Sequence, residues 1–281
     1  MTRVQRRRAV NALALVLSSL AAVVGLFFLL WILVVIFQKG GAAINWAFLT
    51  DLPTPPGVPG GGMANAITGT LIITLLATLG GVPLGLLAGI YLSEFGRGER
   101  LGKVIRFLAD TFMSAPSIVI GIFVYAILVV PMGGFSGLAG GVSLALIMLP
   151  VVTRTSEEML KLVPQEMREA SLALGAPYWH MVLHVALRGA KVGLITGVLL
   201  AVARVSGETA PLLFTTLNSP YWPSGLTDPM ANLTVTIFNY AMSPYEDWQT
   251  QAWGAALLLA TGVLGLNITA RLLFRDRRRT S

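Results

Sequence analysis

The 281-residue chain contains no cysteine and only two histidines, and just 12% of its residues are charged. Without cysteine there is no disulfide framework, no thiolate metal site and no thiol chemistry. His180 and His184 stand four apart with no third ligand and no His-Glu-x-x-His, so no metal site is expected. Also absent is a Gly-x-x-x-x-Gly-Lys-Ser/Thr loop, so nucleotide is not cradled in the P-loop manner and no cofactor is expected. Soluble domains carry about 25% charged residues; half of that is missing here, while 55% of the chain is hydrophobic. Such a composition would precipitate as a globule and belongs to an integral membrane protein. It argues against a soluble enzyme, a nucleic-acid-binding domain or a secreted module.

Crossing about 30 Å of hydrocarbon takes roughly 20 apolar residues. Six stretches fit: Asn11–Phe37, Ile67–Leu92, Phe107–Pro131, Leu138–Val152, Val192–Phe214 and Ala252–Phe274. The fourth is short and borrows residues at its ends. The first is an anchor, because a signal peptide has an apolar region of only about 7–15 residues. Of the 20 basic residues, four lie before the first span, four between Arg97 and Arg106, five between Arg154 and Lys191, and five from Arg271 onward. Lys39 stands alone on the other side and Arg204 lies inside a span. The positive-inside rule then places both termini in the cytoplasm. The expected organisation is a basic tail over 1–10, the first span and an external loop over 11–66, a five-span core over 67–274 and a second basic tail over 275–281.

Inside the spans, glycines recur at spacing four: Gly81, Gly85 and Gly89, then Gly189, Gly193 and Gly197. Such stripes let backbones approach closely, either for packing inside the bundle or as a sliding surface. Pro83, Pro116, Pro150 and Pro211 each remove a helical hydrogen bond, so some of these helices bend or break. A charge at a helix centre costs roughly 2.5–3.5 kcal/mol on insertion scales. Arg204 and Glu208 are four apart in one span; they form either a neutralising pair or a guanidinium beside an anion path, held by Glu208. Arg suits a tetrahedral oxyanion through its fixed fork of donors. Arg154 is either a second such group or an interfacial positive-inside residue. Arg106 and Asp110 read as a structural pair.

The segment 153–191 is expected to be ordered and cytoplasmic. Thr153 to Val163 extends the fourth span and stops at Pro164. Gln165 to Gly175 forms a short helix with an acidic start and a terminating glycine, and Pro177 opens a further helix. The short helix fits either a groove in another protein or the membrane interface. The loop 51–62 is Pro- and Gly-rich and irregular.

The stretch Glu169-Ala170-Ser171-x-x-x-Gly175 resembles the EAA loop of ABC-importer permeases, with Ser171, Val185 and Arg188 departing from the family pattern and Leu187 matching it. Pro116 to Gly121, Val151 to Glu157 and, above all, Ala203 to Thr215, with its Gly-Glu-Thr-Ala-Pro-Leu, are similar to the PstA family of phosphate-importer permeases over about residues 60–275. The resemblance implies an all-α type I permease fold with six spans, in the bacterial inner membrane, that is a transporter subunit and not an enzyme. It further implies a PstC-like permease partner, a PstB-like ATPase dimer, a periplasmic or lipoprotein phosphate-binding protein, and phosphate itself. No nucleic acid is implied; membrane lipid surrounds the spans. The family's basic pathway residues match Arg154 and Arg204, with Glu208 beside the latter. ATPase coupling falls to Glu169, Ala170 and Gly175, in a loop at about 156–190. Molybdate or sulfate as cargo, a PstC-like identity, an intramembrane enzyme and a sensory scaffold are the competing readings.

Overall fold

A computed structural model describes residues 2–58, 60–96 and 98–273. Among these residues every regular element is helical. The basic tail expected over 275–281, and the last residue of the sixth expected span, lie outside the described residues.

Helix α1 (Arg3–Gly41) starts at a capping box in which Thr2 and Gln5 satisfy each other's backbone donors. The short α2 (Trp46–Thr50) is capped by Asn45, whose side chain accepts from the Phe48 amide at 2.8 Å. Helix α3 runs over Ala64–Phe95 and ends in a π turn at Tyr91–Phe95. Next come α4 (Arg100–Ser114), α5 (Ser117–Met132) and α6 (Gly137–Lys161), then α7 (Gln165–Ala173). Helix α8 spans Tyr178–Ser206, followed by α9 (Ala210–Leu213), α10 (Leu233–Ala241) and α11 (Glu246–Leu273).

Helix α6 is the hub. Its inner face carries Leu144, Ile147, Met148 and Val152 into a core shared with Ile73 and Ala77 of α3 and with Ala201 and Val205 of α8. Both glycine stripes turn toward it. A Cβ at Gly81, Gly85 or Gly89 would meet Met148, Val152 or Ser156 at 3.1, 2.8 and 2.5 Å. Gly189, Gly193 and Gly197 sit just as closely over Val163, Met159 and Thr155. Both stripes are therefore packing faces filled within this chain. Helix α1 is attached at its far end, where buried Gly40 lies against Trp253 and Leu257 of α11 and Val35 and Ile36 are half-buried; its apolar residues from Leu13 to Val34 face outward.

Among the described residues five helices are long and apolar enough to cross a membrane, six when the bent pair α4–α5 is taken as one span. That pair corrects the third expected span. The Ala115-Pro116 step is extended and the two axes meet at 104°, because proline excludes its predecessor from helical dihedrals and supplies no amide. The fifth span is also shifted. Its helix begins at Tyr178, passes through a π turn at Val182–Ala186 and stops at Ser206, leaving Pro211 in the first turn of α9. Pro83 and Pro150 stay inside α3 and α6.

Candidate translocation and coupling sites

The first site is the broken end of α8. Gly207 caps the helix, its amide on the Arg204 carbonyl at 3.3 Å, and the chain leaves the helical cylinder at Glu208. Thr234 of α10 donates to the Glu208 carbonyl at 2.8 Å, and Asn232 donates to Thr216 at 3.0 Å. The break is thus held by buried side chains from the returning segment. The spacing of four between Arg204 and Glu208 consequently loses its meaning, since only residues on one helix share a face. Among the described residues neither side chain makes an ion pair or a hydrogen bond. The expectation that Glu208 holds the Arg204 guanidinium is corrected on that ground. Arg204 is exposed and Glu208 half-buried.

Arg154 is in a different state. Its guanidinium bonds Asp110 of α4 at 2.9 Å and Glu157, one turn along α6, at 2.9 Å. Glu157 is fully buried and also receives Arg106 of α4 at 2.7 Å and Lys161 at 2.6 Å. Arg106 and Asp110 therefore do not pair with each other, as their spacing suggested. The helix turns both toward α6, where partners of opposite charge stand. Arg106 also donates to the Leu92 carbonyl at 2.8 Å, fastening the end of α3. Arg154 and Arg204 come from different helices, one neutralised and the other unpaired.

The second site is α7. Its end is a Schellman turn: the Gly175 amide donates to Leu172 at 2.9 Å and that of Ala176 to Ser171 at 3.3 Å. Gly175 has φ +83°, which the turn demands and glycine supplies without strain. Glu169 and Ala170 are exposed, as are Met167, Leu172 and Leu174. Arg168 is the one buried residue of α7; it pairs with Glu94 of α3 and donates to the Leu160 carbonyl at 2.6 Å.

At the other end of the bundle the loop 51–62 is irregular, as expected, yet tied down. Thr54 donates to the Val58 carbonyl at 3.0 Å and Gln251 to that of Gly60 at 2.8 Å. With the 218–221 strap and α10 it walls a cavity of about 670 Å³ whose lining includes Pro53, Asn218, Tyr221, Tyr240 and Trp248. Burial beneath Trp248, whose ring stacks on it at 4.3 Å, pushes the Tyr240 phenol up.

Sequence reasoning missed two ion-pair clusters, Glu157 with its three cations and Glu94 with Arg168. The spacings 154/157/161 were readable as helix-face pairs, whereas the links to Arg106 and Glu94 join helices and leave no local signal.

The family profile described as "Binding-protein-dependent transport system inner membrane component" matches residues 81–279. The chain is 51% identical over 272 residues to the phosphate transport system permease protein PstA of Yersinia pestis, covering 97% of this chain and 92% of that protein. It is 46% identical over 271 residues to the PstA of Pasteurella multocida, covering 96% of each. In fold it resembles an inward-facing MetNI methionine ABC transporter chain, with a TM-score of 0.64 at 21% identity over 76% of this chain and 94% of that one. The bundle around α6, the ordered segment between α6 and α8, and near-full-length identity converge: the chain belongs to the binding-protein-dependent transport system inner membrane components, in their PstA family of phosphate transport permeases.

Proposed function

We propose that this inner-membrane permease subunit forms one half of a phosphate path in an ATP-driven importer, with Arg204 facing the anion. One observation carries the assignment of Arg204: a guanidinium exposed on a membrane-spanning helix with no ion-pair or hydrogen-bond partner among the described residues. Such a charge is costly in hydrocarbon and is tolerated where it borders water, another chain or an anion. Its planar fork matches a tetrahedral oxyanion. Glu208 is a wall residue of the same path, and Arg154 stands at its inner end with its charge held by Asp110 and Glu157. Phosphate as cargo rests on the relatives being phosphate transport permeases.

The other half of the path is a PstC-like permease. A PstB-like ATPase dimer docks on the face of α7 that carries Glu169 and Ala170, with Gly175 fixing the turn. A phosphate-binding protein approaches the face formed by loop 51–62. Both termini and α7 are cytoplasmic, following the distribution of Arg and Lys.

The test is phosphate uptake by the reconstituted four-component complex, with assembly checked for each variant. Arg204→Gln should abolish uptake, and Arg204→Lys should recover part of it, because an ammonium keeps charge without the fork. Adding Glu208→Gln to Arg204→Gln should restore nothing, since the two are not paired. Near-normal uptake by Arg204→Gln would remove Arg204 from the path, and uptake inhibited by molybdate or sulfate in place of phosphate would reassign the cargo.

A further inference from the structure

Helix α7 touches the bundle in an unusual way. Its outward residues, Glu166, Met167, Glu169 and Ala170 among them, are exposed, and its single buried residue is Arg168. A surface helix normally anchors itself with an apolar stripe; this one is anchored by an ion pair. The partner, Glu94, sits in the π turn that ends α3, where its second carboxylate oxygen accepts Ser93 Oγ at 2.9 Å. Tyr178, the first residue of α8, donates to the Glu94 carbonyl at 3.0 Å. One residue pair thus meets α7, α3 and the start of α8 together, and α3 in turn lies with its glycine face against α6.

A buried ion pair stabilises weakly, and apolar residues of similar volume often do as well or better. What a bidirectional, length-defined link offers instead is transmission: it resists both pulling and pushing, whereas an apolar contact slides. We propose that the Glu94–Arg168 pair is the joint through which displacement of α7 is passed to α3 and thereby to the membrane-spanning bundle. Arg168 and Glu94 are positioning residues, remote from the anion. The inference rests on the docking of α7 on the ATPase.

The experiment uses the full four-component complex in liposomes. The variant is Glu94→Gln with Arg168→Met, which removes both charges and strands neither. Three quantities are read: co-purification of the ATPase, the rate of ATP hydrolysis, and phosphate taken up per ATP hydrolysed. The ATPase should remain bound and hydrolysis should continue, while uptake per ATP falls at least about tenfold, a change worth about 1.4 kcal/mol of coupling. An assembled complex with the wild-type ratio overturns the proposal. Loss of the ATPase also overturns it, because the pair would then only shape the docking face. Should the double variant fail to fold, Glu94→Asp keeps the charge but shortens its reach by one methylene; a wild-type ratio in that assembled variant is equally fatal. A wrong functional reading shows separately, as a wild-type complex that takes up no phosphate or retains no ATPase.

Discussion

Replacing Glu157 by glutamine tests how the bent α4–α5 unit is held in place. The Glu157 carboxylate is 0% exposed and collects Arg106, Arg154 and Lys161 at 2.6–2.9 Å, two of them from α6 and one from α4. Breaking a buried pair by removing one partner typically costs about 3–5 kcal/mol, because the other charge is left unpaired. Here Arg154 keeps Asp110, and the stranded Arg106 and Lys161 are 23% and 45% exposed and can recover water, so about 2–3 kcal/mol is expected. Asp110→Asn is the internal comparison. Its carboxylate is 55% exposed and among the described residues meets only Arg154, a geometry worth about 1 kcal/mol or less. Both variants are near-isosteric, so cavity effects are small in each. Denaturant unfolding of the purified complex in nanodiscs, monitored on the tryptophans, gives both values under one condition. If Glu157→Gln proves no more destabilising than Asp110→Asn, the buried carboxylate is not what fastens α4 to α6, and the ranking by burial fails.

Two further outcomes follow from packing and from charge. Gly89→Ala places a Cβ 2.5 Å from the Ser156 Cβ and 2.8 Å from the Thr153 carbonyl, whereas at Gly80 the nearest atom is the Ala145 Cβ at 3.6 Å; overpacking costs about 1–3 kcal/mol against a helix-propensity gain of about 1 kcal/mol. Gly80→Ala should therefore hold or raise the melting temperature and Gly89→Ala should lower it, and the reverse order would refute the α3–α6 contact. Single cysteines at Thr2, Ser171 and Ser224, in a chain with none of its own, should react with an impermeant thiol reagent from outside intact cells at Ser224 only; labelling at Ser171 without Ser224 inverts the topology.

The reach of sequence reasoning follows from the range of the interactions involved. Helix ends were legible wherever a local residue decides them: Pro164 stops α6 and opens α7, Gly175 closes α7, and Pro177 opens α8. Apolar length located the spans but not their bends, since hydropathy is blind to the direction of an axis. The chain breaks at Pro116, and the direction α4 takes there goes with the ion pairs of Arg106 and Asp110 to α6, which join helices distant in sequence. Spacing of four misled where the helix had already ended, at Arg204 and Glu208. It also misled where another helix offered a better partner, at Arg106 and Asp110.

The contrast among the arginines argues for function more strongly than any one of them. Arg106, Arg154 and Arg168 all find carboxylates, and two of those carboxylates, Glu94 and Glu157, are buried for the purpose. At these three places the fold supplies the guanidinium with a carboxylate from its own described residues. Arg204 sits in the last turn of a spanning helix, and that helix has ended at Gly207 before Glu208 is reached. The helix C-terminus offers partial negative charge that eases a cation, but only by about 0.3–1 kcal/mol at exposed sites. A charge at a helix centre costs roughly 2.5–3.5 kcal/mol, which is an upper bound for a residue in the last turn. With no ion pair to Arg204 among the described residues, what is left of that cost falls to water, a neighbouring subunit or the transported anion. A packing role for Arg204 supplies none of these; a lining of the anion path supplies at least two.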